Sequence, residues 1–280
     1  MSQKTWFITG VSSGFGRHMT ELLLARGDRV AGTVRNMNAV SDLKGQYGDL
    51  LWISHLEVTD TNEIHQVVDK AFADLGKIDV IVNNAGYGLF GAAEELTDNQ
   101  INNEIGTNLT GSIQVARAAL PHLRSQGGGR IIQISTYGGQ VAAPGGSLYH
   151  ASKWGIEGFM EALSQEVAPF NIGVTIVEPG GAQTNFRYKS SKLAPKIDAY
   201  EVSPAIHSRR IIEEAKLPSL GDPAKMAKII IDSADLTPAP KRLVLGSDSY
   251  TALNKALSDR LADLEAQKDL AFSTDFPKSE

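Results

Sequence analysis

The stretch Tyr149-His150-Ala151-Ser152-Lys153 sets a phenol and an ammonium four residues apart. On a helix, positions i and i+4 project from one face, so the two groups can share a site. A free tyrosine titrates near pH ~10 and exchanges protons poorly at neutrality. A positive charge beside it favours the phenolate and draws that value towards the working range. By itself the spacing also describes a surface pair on an ordinary helix.

Near the amino terminus, the apolar run Thr5-Trp6-Phe7-Ile8 leads into Thr9-Gly10-Val11-Ser12-Ser13-Gly14-Phe15-Gly16. Met19, Leu22, Leu23 and Ala25 then suit the buried side of a helix packed on a sheet. Strand, glycine-rich turn and helix are the context that a dinucleotide-binding turn needs. Gly10 allows the tight turn, Gly14 and Gly16 let backbone approach a pyrophosphate, and the helix amino terminus offers free N–H groups. The spacing G-x3-G-x-G departs from the Rossmann G-x-G-x-x-G, so an ordinary strand–helix turn is the alternative. The second strand, Arg29 to Val34, ends at Arg35 with no carboxylate. An acid there would bond the ribose of NAD, whereas an arginine matches a 2′-phosphate in shape and charge. The expected cofactor is therefore NADP(H), against the plainer reading of Arg35 as a solvated loop residue.

At 280 residues the chain can bury one large core, and a single domain over 1–280 is expected. Basic and acidic totals of 27 and 32 show no patch that suggests nucleic acid and no membrane-directed charge. There are no cysteines, and no metal is expected. The first strand begins within a few residues of Met1, and no apolar run approaches ~20 residues, which predicts a soluble cytoplasmic protein. Further apolar strands are read at Leu50–Ile53, Val80–Val82, Ile131–Ile134, Val174–Val177 and Lys241–Leu245, with helices at 62–75, 98–124 and 148–168. Thr97 with Gln100 suits a capping box, and Pro169 a helix stop. This alternation predicts an α/β, doubly wound, Rossmann-like fold: a mainly parallel seven-stranded sheet with helices on both faces. After 249, Leu253, Leu257, Leu261 and Leu264 follow helical spacing and predict a helix that packs on the body.

Together these residues resemble the short-chain dehydrogenase/reductase family over most of residues 5–250. The family's T-G-x3-G-x-G turn matches Thr9 to Gly16, and its N-N-A-G segment matches Asn83-Asn84-Ala85-Gly86. Its helix-borne asparagine matches Asn108, its Tyr-x3-Lys pair Tyr149 and Lys153, and its P-G-x3-T segment Pro179 to Thr184. Two positions depart from the pattern. The family's active-site serine, thirteen residues before the tyrosine, is Thr136 here, with Ser135 beside it. Thr136 is preferred, since a threonine hydroxyl has the same donor and acceptor capacity and Ser135 should face the other way on a continuing strand. The acid that often faces the adenine is Glu57, followed by Val58; an adenine contact and a solvated loop acid are both open.

The resemblance implies that Tyr149 exchanges the proton with the carbonyl or alcohol oxygen while the cofactor carries the hydride. Lys153 would lower the Tyr149 pKa and bind the nicotinamide ribose, Thr136 would bind the substrate oxygen, and Asn108 would hold a water that relays protons. Implied cofactor contacts are Gly10, Ser12, Ser13, Gly14, Phe15 and Gly16; Arg35; Glu57 and Val58; Asn83, Ala85 and Gly86; Tyr149 and Lys153; and Pro179, Gly180, Ala182 and Thr184. A substrate lid is expected at 185–220. Tyr87, Leu89, Phe90, Phe186, Tyr188, Leu193, Ile197 and Tyr200 would give an apolar, aromatic lining for a hydrophobic ketone, aldehyde or alcohol. Lys189, Lys192 and Lys196 read better as a solvated lid face than as an anion site. The texture resembles the steroid- and retinol-active branch, without naming a substrate. A cofactor-binding regulator without turnover is the rival function. In many relatives the two helices that carry the site pair across a two-fold axis. A homodimer or homotetramer using Ile113, Ala116, Leu120, Phe159, Leu163 and Val167 is expected, unless those side chains face the chain's own sheet.

Overall fold

Short strands that are apolar along their whole length demand cover on both faces, because alternate side chains point to opposite sides. Trp6 and Ile8 enter one core cluster while Phe7 between them enters the other. The computed structural model, which describes residues 3–184, 186, 190–214 and 219–276, satisfies this demand with helices on both sides of one sheet. In chain order come β1 (Thr5–Thr9), α1 (Gly14–Ala25), β2 (Arg29–Val34), α2 (Ser41–Tyr47), β3 (Leu51–His55), α3 (Thr61–Leu75) and β4 (Val80–Asn83). They are followed by β5 (Leu89–Phe90), α4 (Asp98–Ile105), α5 (Ser112–Ser125), β6 (Gly129–Ile134), α6 (Ser147–Val167) and β7 (Ile172–Pro179). The chain continues through β8 (Lys192–Leu193), α7 (Ile206–Glu214), α8 (Pro223–Ser233), β9 (Arg242–Leu245), α9 (Ser247–Glu265) and α10 (Lys268–Phe272).

The seven-stranded sheet runs β3-β2-β1-β4-β6-β7-β9, with every pairing parallel. Side chains of α3, α5 and α6 fill one core layer, and those of α1, α2 and α8 the other. Strand order reverses between β1 and β4, so the loops leaving their carboxyl ends part and open a crevice. The glycine turn and the Asn84–Gly86 loop both lie at that point. No helix among the described residues is long and apolar enough to cross a membrane.

Two features differ from the sequence reading. The helix expected over 98–124 is broken: α4 and α5 are joined by a π-helical turn, Gly106–Gly111, which carries Asn108. A Cβ at Gly111 would lie 2.5 Å from the Val58 carbonyl oxygen, so a plain continuation with an ordinary residue could not pass the β3–α3 loop. The carboxyl-terminal helix is present, but only its root packs. Leu253 is buried, whereas Leu257, Leu261 and Leu264 are exposed, as is every described residue from 257 onward. Within the expected 185–220 lid, β8 pairs in parallel with β5, and Arg209 on α7 pairs with the buried Glu95. Tyr188 and Lys189 lie outside the described residues.

One buried polar network ties the site-bearing helix to the sheet. Glu157 on α6 accepts from Ser135 Oγ at 2.6 Å, and Arg242 on β9 donates to Glu157 (3.2 Å), Glu161 (3.4 Å) and Glu178 (3.1 Å). Burial, with Glu178 nearby, raises the Glu157 pKa, while Ser135 and Arg242 oppose the rise. A raised folded-state value means that the folded protein holds a proton the unfolded chain releases near its ordinary glutamate value. The stabilisation is therefore complete below that value and fades as pH climbs towards neutrality. Urea unfolding at pH 5 and pH 8 checks this. Glu157→Gln should lose less stability than the wild type over that interval, and parallel losses would refute the assignment.

Candidate active site

Tyr149 lies in the first turn of α6, and Lys153 follows one turn later on the same inward face; both are buried. The Thr136 hydroxyl lies near the Tyr149 hydroxyl and favours its ionised form. It also donates to the Pro179 carbonyl at 3.3 Å and accepts from the Gly138 N–H at 3.3 Å. Ser135 points to the other side of the strand, onto Glu157, as alternation along an extended backbone requires. The Tyr149 ring lies 5.6 Å from the Phe90 ring and 6.1 Å from that of Phe186, centroid to centroid, so an apolar wall faces the phenol from β5 and the lid.

Lys153 Nζ donates to the Ile134 carbonyl at 3.1 Å and lies 5.9 Å from the centre of the Tyr149 ring. Asn108, fully buried in the π-helical turn, accepts from the Tyr87 N–H at 3.0 Å and donates to the Tyr87 carbonyl at 2.8 Å. Its carboxamide nitrogen also reaches Ser152 Oγ at 3.3 Å and Glu104 Oε1 at 3.5 Å. Asn108 thus pins the loop after β4 to both site-bearing helices.

The electrostatics correct one expectation. The sequence suggested that Lys153 would pull the Tyr149 pKa down, yet burial pushes the phenol up, the nearby Glu104 and Tyr137 add to the rise, and the nearby Thr136 hydroxyl only partly opposes it. Lys153 itself is pushed down to about 8 by burial, against the support of Glu157 and Glu104. Desolvation outweighs pair attraction here because both groups lie in the interior.

The nucleotide side of the crevice has the features of a phosphate cradle. Gly10 and Gly14 adopt φ of +74° and +57°, and a Cβ on Gly16 would lie 2.2 Å from the Gly10 carbonyl oxygen. Ser12 and Ser13 are exposed, Phe15 packs into the core, and Ser13 makes no side-chain cap to α1, whose first turn has no acid. Free N–H groups and an unopposed dipole suit a pyrophosphate. Gly14 looks across to Thr184, and the loop from Pro179 to Thr184 is tied down by Gly180 N–H to Leu245 O at 2.7 Å and by an Ala182–Gly221 bridge. Arg35 is exposed at the end of β2 and makes no hydrogen bond or ion pair among the described residues. Val58 is buried; the Glu57 N–H donates to Glu63 Oε2 at 2.9 Å. Ala85 and Gly86 line the crevice, and Gly86 faces Asn108 and Lys153. Asn83 turns away, donating to the Ser112 carbonyl at 2.9 Å.

Several residues of the site escaped the sequence reading. Asn84, not Asn83, holds the glycine turn, donating to the carbonyls of Thr9 (2.8 Å) and Gly10 (3.0 Å). Thr9 Oγ1 accepts from the N–H groups of Asn84 and Ala85, both at 2.9 Å. Asp248 at the root of α9 accepts from the Gly181 N–H at 2.7 Å and so braces the Pro179–Thr184 loop. Glu104, fully buried, sits four residues before Asn108; that helical spacing was the available signal, masked by the polar run Asn102-Asn103.

Alanine at Thr136 should lower kcat/KM by ~10²-fold, the usual size for a lost donor to a developing oxyanion. Alanine at Ser135 should cost stability more than rate. Steady-state kinetics on the two variants decide it, and a rate loss confined to Ser135 would overturn the assignment.

Comparison with known proteins agrees with this geometry. The short chain dehydrogenase family model matches residues 4–194. The oxidoreductase BOA17 of Botryotinia fuckeliana is 33% identical over 272 residues, covering 97% of this chain and 99% of that protein. A 3-ketodihydrosphingosine reductase of Bacteroides thetaiotaomicron is 36% identical over 216 residues, 76% of this chain and 77% of its own. A crystal structure of a short-chain dehydrogenase from Streptomyces avermitilis superposes with a TM-score of 0.91 at 38% identity, covering 98% of this chain and 99% of that one. With its parallel sheet, glycine turn and Tyr149/Lys153 pair, the chain belongs to the short-chain dehydrogenase/reductase family of oxidoreductases.

Proposed function

We propose that the protein is an NADP(H)-dependent reductase of hydrophobic ketones or aldehydes, or the dehydrogenase of the corresponding alcohols. The observation that carries this reading is the juxtaposition of Tyr149 with the Thr136 hydroxyl on one side and the rings of Phe90 and Phe186 on the other. A carbonyl oxygen fits between the two hydroxyl groups, and an apolar body fits against the rings. The relative of Bacteroides thetaiotaomicron, named as a reductase of 3-ketodihydrosphingosine, supports a keto substrate.

A bound nicotinamide supplies or accepts the hydride. Tyr149 gives its proton to the substrate oxygen in reduction and takes one from the alcohol in oxidation. Thr136 binds that oxygen and stabilises the charge that gathers on it. Lys153 holds the nicotinamide ribose and stabilises the phenolate left after proton transfer. Asn108 keeps the loop after β4 in place and holds a water on the proton path. Arg35 pairs with the adenosine 2′-phosphate, a role supported by its having no other ion pair among the described residues. We also propose two-fold self-association through the outer faces of α5 and α6. Ala116, Leu163 and Val167 are already buried within the chain, so Ile113, Leu120 and Phe159, which are only partly buried, would carry the contact.

NADPH oxidation against a panel of hydrophobic ketones and aldehydes, bulky polycyclic ones included, tests the reading. Turnover with NADPH preferred over NADH is expected. Tight NADPH binding without turnover of any member would favour a cofactor-binding regulator instead. Tyr149→Phe should retain NADPH binding and lose about 10²–10⁴-fold in kcat; retained turnover would exclude Tyr149 as the acid. Sedimentation at micromolar concentration should give a species of at least twice the 30.1 kDa chain mass, and a single species at that mass would refute self-association.

A further inference from the structure

We propose that Glu104 is a positioning residue of this reaction, whose buried carboxyl orients Asn108 and whose charge sets how readily Lys153 and Tyr149 exchange a proton. The inference rests on the oxidoreductase reading above and adds to it a group that none of the catalytic assignments includes.

Glu104 is fully buried, at the last turn of α4. Its Oε1 accepts from the Leu89 N–H at 3.1 Å and lies 3.5 Å from Asn108 Nδ2. Its Oε2 is buried and has no hydrogen-bond partner among the described residues. A structural cap for Leu89 needs one acceptor oxygen, which a glutamine would provide without a charge to desolvate. A carboxyl with a second, unpartnered oxygen in the interior is costly, and such a group is retained where it is neutral or balanced by a nearby charge. The balancing charge here is the Lys153 ammonium, whose own hydrogen bond goes to the neutral Ile134 carbonyl.

The groups that face Glu104 come from each element packed around it. On α6 these are Lys153, which it supports as a cation, and Tyr149, whose ionisation it opposes. On the loop after β4 it is Tyr87, whose ionisation Glu104 likewise opposes and Arg35 favours. Behind them, Glu157 also supports Lys153, and Tyr137 also opposes ionisation of Tyr149. On α4 itself, Asp98 lies at the opposite end. Burial drives Glu104 up to about 8 and Lys153 down to about 8, so the two groups titrate over the same range, each favouring the charged form of the other.

The consequence for the reaction has a definite sign. When Tyr149 passes its proton to the substrate oxygen, its O–H bond breaks, the substrate O–H bond forms, and a phenolate remains. An ionised Glu104 repels that phenolate, whereas a protonated Glu104 does not. Removing the charge therefore lowers the pKa of Tyr149 and of Lys153 together.

Glu104→Gln keeps the acceptor for Leu89 and removes the charge, and Glu104→Met removes both. The first readout needs no turnover: NMR of 13C-lysine-labelled protein, with the Lys153 Cε signal identified by its loss in Lys153→Met. We expect the Lys153 midpoint to fall by about 0.5–1 pH unit in either variant, within the range of single-charge effects. In the unmutated protein, the Lys153 Cε signal should report a second titration step, that of Glu104, which is absent from Glu104→Gln. The second readout is the pH profile of alcohol oxidation, whose alkaline-rising limb should move to lower pH in Glu104→Gln. A variant that is slower at every pH, with an unmoved Lys153 midpoint and an unmoved limb, would reduce Glu104 to a cap and overturn the proposal. A shifted midpoint in a protein that turns over none of the carbonyl panel would sink the oxidoreductase reading while the coupling stood.

Discussion

An ammonium group buried beside the end of a parallel sheet is the constraint on which the site turns. Among the described residues, Lys153 has one hydrogen-bond acceptor, the Ile134 carbonyl, and two buried acids, Glu104 and Glu157, within electrostatic range. Removing a lysine from water disfavours its charge, so its neighbours must be acids or carbonyls and must be held still. Each of those neighbours has its own anchor. Ile134 is the last residue of β6, Glu157 is gripped by Ser135 and Arg242, and Glu104 is fixed by the Leu89 N–H. The same anchors bring together α4, α6, β6 and β9, so the charge balance of the site and the packing of one side of the sheet are inseparable.

The fold supplies two different surfaces at one crevice. On the β1 side, backbone does the work: three close-set glycines, an uncapped helix start and no acid leave N–H groups open to an anion. On the β6–α6 side, side chains do the work, because a strand end and a helix start bring the Thr136 and Tyr149 hydroxyls near each other. The loop from Pro179 to Thr184 spans the two, held from below by Asp248 and Leu245.

Much of this architecture was legible in the residues, and the exceptions have physical reasons. Continuous apolar runs at β1, β4, β6 and β7 announced doubly covered strands, and Tyr149/Lys153 announced a shared helical face. The π-helical turn at Gly106–Gly111 was not legible, because a one-residue change of helical phase leaves no trace in apolar periodicity. Asn84 and Asn83 could not be told apart, since only the bend after β4 decides which of two adjacent amides meets the glycine turn. The leucines of α9 were read as core because a helical stripe records amphipathicity and not its partner, and beyond Leu253 that stripe leaves the body. The Tyr149 pKa was misjudged for a related reason: spacing shows which charges are neighbours but not how dry their surroundings are.

A crystal structure of the protein with NADP⁺ bound tests the central claim most directly, that Lys153 is held in reserve at this crevice for the cofactor ribose. The account predicts Lys153 Nζ within hydrogen-bonding distance of a nicotinamide ribose hydroxyl and the pyrophosphate on the N–H groups that follow Gly10, with the adenosine 2′-phosphate against Arg35. A ribose seated away from Lys153, with Nζ bonded to the Ile134 carbonyl alone, would contradict it.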